Sequence, residues 1–191
     1  PDWRSSIDLK LYIEDVDNAI GDVRQEIDPG IENAAFGNIA YANTNQDNWQ
    51  TKGLDLQWRA QPWQHSWFNL AYGYADAEGR YASRPTYSDP WFDNDNDVPR
   101  HTLSALVSHD FGHQLEGSLI LYRQSAVEWF KGSTLPAYNR VDFRIAQGFQ
   151  YGKSEGQVEL VVQNLSPKYT EFEVNNLFDT RTFVRFKLNF L

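Results

Sequence analysis

The chain has 191 residues, no Cys, no Met and a formal net charge of −9. Without thiols there is neither a disulfide framework nor a thiolate metal site, and an acidic balance with scattered Lys and Arg argues against nucleic acid as a partner. The mean hydropathy of −0.62 resembles that of a water-soluble protein, but a chain whose two faces alternate averages to the same value; no run approaches the roughly 18 apolar residues of a membrane helix.

Pro1 to Ser5 reads as a turn-like lead-in. From Ile7, the alternation of Ile7, Leu9, Leu11 and Ile13 with Asp8, Lys10, Tyr12 and Glu14 predicts a first strand. A loop over about Gly21 to Gly37 follows. The second strand, about Asn38 to Gln61, is polar in its first half, and then sets Leu54, Leu56, Trp58 and Ala60 against Asp55, Gln57 and Arg59. A tight turn at Gln61-Pro62-Trp63-Gln64 leads to a third, with Phe68, Leu70, Tyr72 and Tyr74 opposite Ala71, Gly73 and Ala75. The longest loop, about Tyr81 to Arg100, precedes a fourth from His101 to Phe111, in which Leu103, Ala105 and Val107 oppose Thr102, Ser104 and Ser108.

Gly112-His113-Gln114 turns the chain into a fifth strand, Leu115 to Phe130, with Leu115, Leu119 and Leu121 against Glu116 and Ser118. A loop through Gly132 and Pro136 leads to the sixth, which carries Val141, Phe143, Ile145 and Phe149 on one side and Arg140, Asp142 and Arg144 on the other. After the turn at Gly152 to Gly156, the seventh sets Val158, Leu160 and Val162 against Gln157, Glu159 and Gln163. About Glu173 to Thr180 connects it to the eighth, where Val184, Phe186, Leu188 and Phe190 oppose Phe183, Arg185, Lys187 and Asn189.

Period two in every element, with no helical period, makes the chain all-β. Such strands suit either a sandwich whose polar face meets bulk water or a membrane barrel whose polar face lines a wet interior. Connections alternate short and long, as in a barrel with one end in the periplasm and the other outside. Aromatic residues make up 15% of the chain and gather at two levels. Trp58, Trp63, Trp67, Phe111, Phe149, Tyr151 and Phe190 lie near the tight turns; Tyr74, Tyr81, Trp129, Phe130, Tyr138, Phe172 and Phe183 lie near the long loops. Two such belts are what the two membrane interfaces favour, and strand propensity of aromatics is the competing explanation.

Chemistry is sparse. Asp93, Asp95 and Asp97 have the one-three-five spacing of a calcium loop, but Val98 and Ser104 stand where an EF-hand needs Gly and Glu. A solvated acidic loop is the simpler reading, and an irregular external calcium site the alternative. His109 and His113 flank a turn and make no zinc pair. No nucleophile elbow or phosphate loop occurs, so no enzyme is expected. Trp91, Phe92, Trp129 and Phe130, at or near loops, are the candidates for ligand contact, or else interface anchors.

The runs Leu135–Arg144 (LPAYNRVDFR), Val162–Phe172 (VQNLSPKYTEF) and Arg181–Phe190 (RTFVRFKLNF), in this order, resemble the C-terminal end of TonB-dependent outer-membrane receptors. Ile39–Asn43 (IAYAN) and Lys52–Trp58 (KGLDLQW) look like that family's loop exit and following strand. Family members usually stop on the aromatic residue, here Phe190, whereas this chain adds Leu191.

The resemblance implies an antiparallel transmembrane β-barrel segment of about eight strands, with short periplasmic turns and long extracellular loops, in the outer membrane of a Gram-negative bacterium. Residues 1–191 would form the C-terminal portion, with an N-terminal plug and earlier strands elsewhere in the protein. It further implies TonB-dependent uptake of a scarce ligand such as a ferric siderophore, with membrane lipid, the plug and TonB, acting through the plug, as partners, and no resident cofactor. Asp55, Arg59, Arg140, Asp142, Arg144, Glu159, Arg185 and Lys187 would then face the lumen and the plug. A complete eight-stranded outer-membrane barrel, structural or lipid-modifying, is the alternative on length and strand count.

Overall fold

The alternation carries through to hydrogen bonding: eight long strands join in one antiparallel sheet. They are β1 (Arg4–Glu26), β2 (Ile39–Gln61), β3 (Ser66–Arg80), β4 (His101–Gly112), β5 (Leu115–Gln124), β8 (Tyr138–Tyr151), β9 (Ser154–Gln163) and β12 (Arg181–Asn189). Two small hairpins lie between them, β6 (Val127–Trp129) with β7 (Ser133–Leu135), and β10 (Tyr169–Thr170) with β11 (Leu177–Phe178). The computed structural model describes residues 4–26, 39–80, 98–129, 133–171 and 175–190. The large sheet is a meander in the order β1-β2-β3-β4-β5-β8-β9-β12, with β1 and β12 at its two outer edges. As described, it is not a closed eight-stranded barrel.

Register decides which side chains share a face. Arg185 lies opposite Glu159, and Phe186 opposite Val158; Lys10 lies opposite Asp55, and Leu9 opposite Leu56. Polar groups therefore line up with polar groups from strand to strand, and hydrocarbon with hydrocarbon.

Burial is inverted relative to a water-soluble sheet. The inversion is on the interior strands β8 and β9, where Val158 is 40% and Leu160 36% exposed on the hydrocarbon side, whereas on the polar side Asp142 is 7% exposed and Glu159 4%; on the edge strands both faces are exposed, Phe186 63% and Arg185 66%. In a sandwich, Phe186 would be covered by a second layer. Here the polar face is the concave one, with a hollow of about 570 Å³ spanning β1 to β5 and β8.

Three boundaries differ from the sequence expectation. β1 continues to Glu26 rather than giving way to a loop at Gly21, because β2 extends beside it as far as Glu26 opposite Ile39. Backbone pairing satisfies these polar residues as well as it does apolar ones. The irregularity falls instead at Asn18, with φ of 58°, where its N–H donates to Asn48 Oδ1 at 2.9 Å. The expected fifth strand ends at Gln124, not Phe130: Ser125 N–H donates to the His101 carbonyl at 2.9 Å, while its hydroxyl accepts from His101 N–H at 3.1 Å. The chain then leaves the sheet, and Val127 and Leu135 are buried in the first small hairpin. The third difference is the β10–β11 hairpin inside the connection from β9 to β12.

The short turns need unusual backbone. His113 and Gln114 have φ of 52° and 62°, positive at both central positions as a two-residue hairpin requires. The turn is held by Gln147 Nε2 donating to the His113 carbonyl at 2.9 Å and Gly148 N–H donating to the Gln114 carbonyl at 2.8 Å.

Candidate functional site: the polar face of the sheet

Residues two apart on a strand point the same way, so Arg140 and Asp142 meet on β8. Arg140 Nε donates to Asp142 Oδ1 at 2.8 Å and Nη2 to Oδ2 at 2.7 Å. This is a two-point pair that a Lys could not form. Asp142 Oδ1 also accepts the backbone N–H of Asn164 at 2.9 Å.

Asn164, just after β9, is 0% exposed and has φ of 56°, a conformation Asn tolerates better than most residues. Its Nδ2 donates to the Phe178 carbonyl at 3.2 Å, and Thr180 Oγ1 donates to its carbonyl at 2.7 Å. Leu165 N–H donates to the Val141 carbonyl at 2.7 Å. These bonds fold residues 164–171 and 175–180 back over the end of β8. Rings complete the packing: Tyr138 stacks on Tyr169 at 4.0 Å and Tyr169 on Phe178 at 5.5 Å. The guanidinium of Arg140 lies 4.6 Å from the Phe178 ring centre, and that of Arg181 lies 4.2 Å from it, so cations cover an electron-rich ring.

A second group crosses four strands. Arg144 on β8 donates through Nε to Glu159 Oε2 on β9 at 2.7 Å, and its Nη1 lies 3.4 Å from Glu116 Oε2 on β5. Arg185 Nη1 on β12 lies 2.9 Å from Glu159 Oε1. That second contact is ionic rather than a directed hydrogen bond, since Oε1 has no hydrogen-bond partner of acceptable angle. Glu159 is thus a buried carboxylate between two guanidinium groups, the circumstance in which a buried charge is tolerated.

The residues singled out from the sequence thus fall into two groups. Arg140, Asp142, Arg144, Glu159 and Arg185 are brought together at one side of the sheet. Asp55 and Arg59 share their face but sit on β2: Asp55 borders the hollow, and Arg59 Nη2 donates to Gln57 Oε1 at 3.0 Å. Lys187 stands on the same face opposite Gln157. Trp91, Phe92, Phe130, Asp93, Asp95 and Asp97 lie outside the described residues, and Trp129 is described only through its backbone, paired with Ser133. Among the described residues no group of His, Asp and Glu is arranged to hold a metal ion. Sequence reasoning did not single out Asn164 or Phe178; an Asn directly after a strand, followed by Tyr and Phe before the next, was the available signal.

No curated protein matches the chain. Among solved structures, it is similar to BauA, the ferric preacinetobactin receptor from Acinetobacter baumannii, with a TM-score of 0.61 at 13% identity. The likeness covers 95% of this chain and 27% of that one, so the chain spans about a quarter of the receptor it matches. At that identity the likeness shows the fold alone. The family model described as TonB dependent receptor-like, beta-barrel matches residues 2–165. The chain therefore belongs to the TonB-dependent receptor β-barrel family, whose members are outer-membrane receptors and not enzymes.

Proposed function

We propose that this chain forms the C-terminal part of the barrel of an outer-membrane uptake receptor in a Gram-negative bacterium. The receptor imports a scarce ligand such as a ferric siderophore or similar metal complex, with energy delivered by TonB through an N-terminal plug. The observation that carries this reading is the inverted burial of the interior strands: Glu159 and Asp142 are enclosed on the polar face while Val158 and Leu160, flanking Glu159, are exposed on the other. Hydrocarbon on that scale has no favourable place in water, and acyl chains are the solvent that suits it.

On this reading the two unpaired edges, β1 and β12, pair with further strands of the same polypeptide, because lipid does not accept open sheet edges. The tight turns at Pro62, Gly112 and Gly152 are periplasmic and the long loops external. The polar face looks into a hydrated bore occupied by the plug, against which mixed charges such as Asp55, Arg59 and Lys187 are set. The similarity to a ferric preacinetobactin receptor supports an iron complex as ligand.

The test is uptake. A strain lacking the gene, grown under iron limitation, is expected to lose accumulation of radiolabelled iron from one siderophore class and to regain it with the full-length gene. Unchanged uptake across hydroxamate, catecholate and mixed siderophores would overturn the ligand assignment. Sidedness is tested separately in the full-length receptor. Phe186→Arg is expected to destabilise the lipid-inserted barrel by about 2–4 kcal/mol, whereas Lys187→Leu is tolerated; the reverse order would end the membrane reading.

A further inference from the structure

The hydrocarbon face is not uniform. Beside the turn between β2 and β3 it opens into a groove of about 650 Å³. Two small residues, Ala60 and Ser66, each 5% exposed, form its floor, and Trp58, Trp63, Phe68 and Val107 form its walls. Register produces this shape: Ala60 lies opposite Phe68, Phe68 opposite Val107, and Ser66 opposite His109, all on the hydrocarbon side. One wall is braced, because Trp58 meets Phe68 edge to face at 4.9 Å and its Nε1 donates to Ser5 Oγ at 2.8 Å.

The floor also carries a polar pair. Ser66 Oγ and His109 Nδ1 are 2.7 Å apart, and His109 Nε2 has no hydrogen-bond partner among the described residues. In the tautomer in which Ser66 donates to Nδ1, Nε2 carries the ring proton and is a donor.

We infer that this groove seats one phospholipid, its acyl chain against the rings and an ester carbonyl accepting from His109 Nε2. This rests on the reading of the hydrocarbon face as the membrane surface, with which the groove is continuous. Depth agrees: Trp63, 70% exposed at the turn, belongs at headgroup level, where indole rings settle and where ester carbonyls also lie. The volume is in the range of sites that enclose a small ligand. No Lys or Arg lines the groove, so the site recognises chain and ester and does not select among headgroups.

The experiment is native mass spectrometry of the full-length receptor released from nanodiscs of phosphatidylethanolamine or phosphatidylglycerol. Heat-modifiable mobility on gels verifies that each variant is folded. The wild type is expected to keep one phospholipid from either disc through detergent exchange. Ala60→Phe, which fills the groove, is expected to lose it, and His109→Phe to lower its occupancy about fivefold, the worth of one hydrogen bond. Equal retention by wild type and Ala60→Phe overturns the site while leaving the membrane reading intact. A doubled receptor mass that Ala60→Phe abolishes also overturns it, showing a contact between copies. A receptor that does not enter the discs removes the membrane reading and this inference together.

Discussion

The two sides of the polar face treat charge differently. Across β5, β8, β9 and β12 the charges close on one another: Arg140 with Asp142, and Arg144 with Glu116 and Glu159, the last also held by Arg185. On β1 and β2, Asp8, Lys10 and Asp55 border the hollow with no ion-pair partner among the described residues. Register alone does not account for this, since Lys10 stands opposite Asp55 just as Arg185 stands opposite Glu159. The Lys10 ammonium instead lies 4.8 Å from the centre of the Tyr12 ring. That ring occupies the space a side chain at Gly53 would take, and the neighbouring strand contributes only Ala71 and Gly73 beside Asp55 and Gln57. The lesson is that facing charges pair when neighbours restrict them and one is a planar, multidentate Arg. Around a gap lined by small residues they stay open. One side is complete in itself, and under the proposed function the other awaits what fills the bore.

The sharpest way to break this contrast is Glu159→Ala, which removes the buried carboxylate that joins Arg144 to Arg185 and leaves the part-buried Arg144 with Glu116 alone as counter-charge. Unfolding of the full-length receptor in lipid vesicles by urea is expected to show a loss of about 3 kcal/mol, the low end for a broken buried pair because the remaining guanidinium groups reach water. A loss below about 1 kcal/mol would place the ladder among ordinary surface pairs and erase the distinction. Asn164→Ala comes next, at about 2–3 kcal/mol in the same measurement, through its lost bond to Phe178 and the poorer fit of Ala to positive φ. Protease cleavage within 164–180 should rise in parallel. Phe178→Leu, which removes the ring shared by Tyr169, Arg140 and Arg181, is expected to cost about 1–2 kcal/mol. Asp55→Ala, on the open side, should lie within about 0.5 kcal/mol of the wild type. A larger loss would mean that Asp55 has a structural partner after all.

Much of the architecture was legible before any coordinates. Alternation in Val184–Phe190 and in Val141–Phe149 assigned each side chain to a face, and the register places them as expected. Eight long strands and the short turns at Pro62, Gly112-His113-Gln114 and Gly152 also matched. The boundary errors have a common origin. Hydrophobic pattern reports burial, and it is silent where a polar segment such as Asp17–Glu26 is stabilised by backbone pairing, or where Ser125 diverts a strand by bonding to His101, distant in sequence. The candidate ligand aromatics at Trp91, Phe92 and Phe130 gain no support from structure, because they lie outside the described residues.

By itself the sequence determined the sidedness of the sheet, since the pleat of an extended backbone sends successive side chains to opposite faces whatever lies nearby. Only the tertiary structure decided which charges meet, that Asn164 and Phe178 tie the β9–β12 connection to the end of β8, and that the hydrocarbon face is grooved at Ala60. These depend on which residues become neighbours across strands and on the sizes of the side chains between them, and such distances are set by the folded sheet rather than by any local run of the chain.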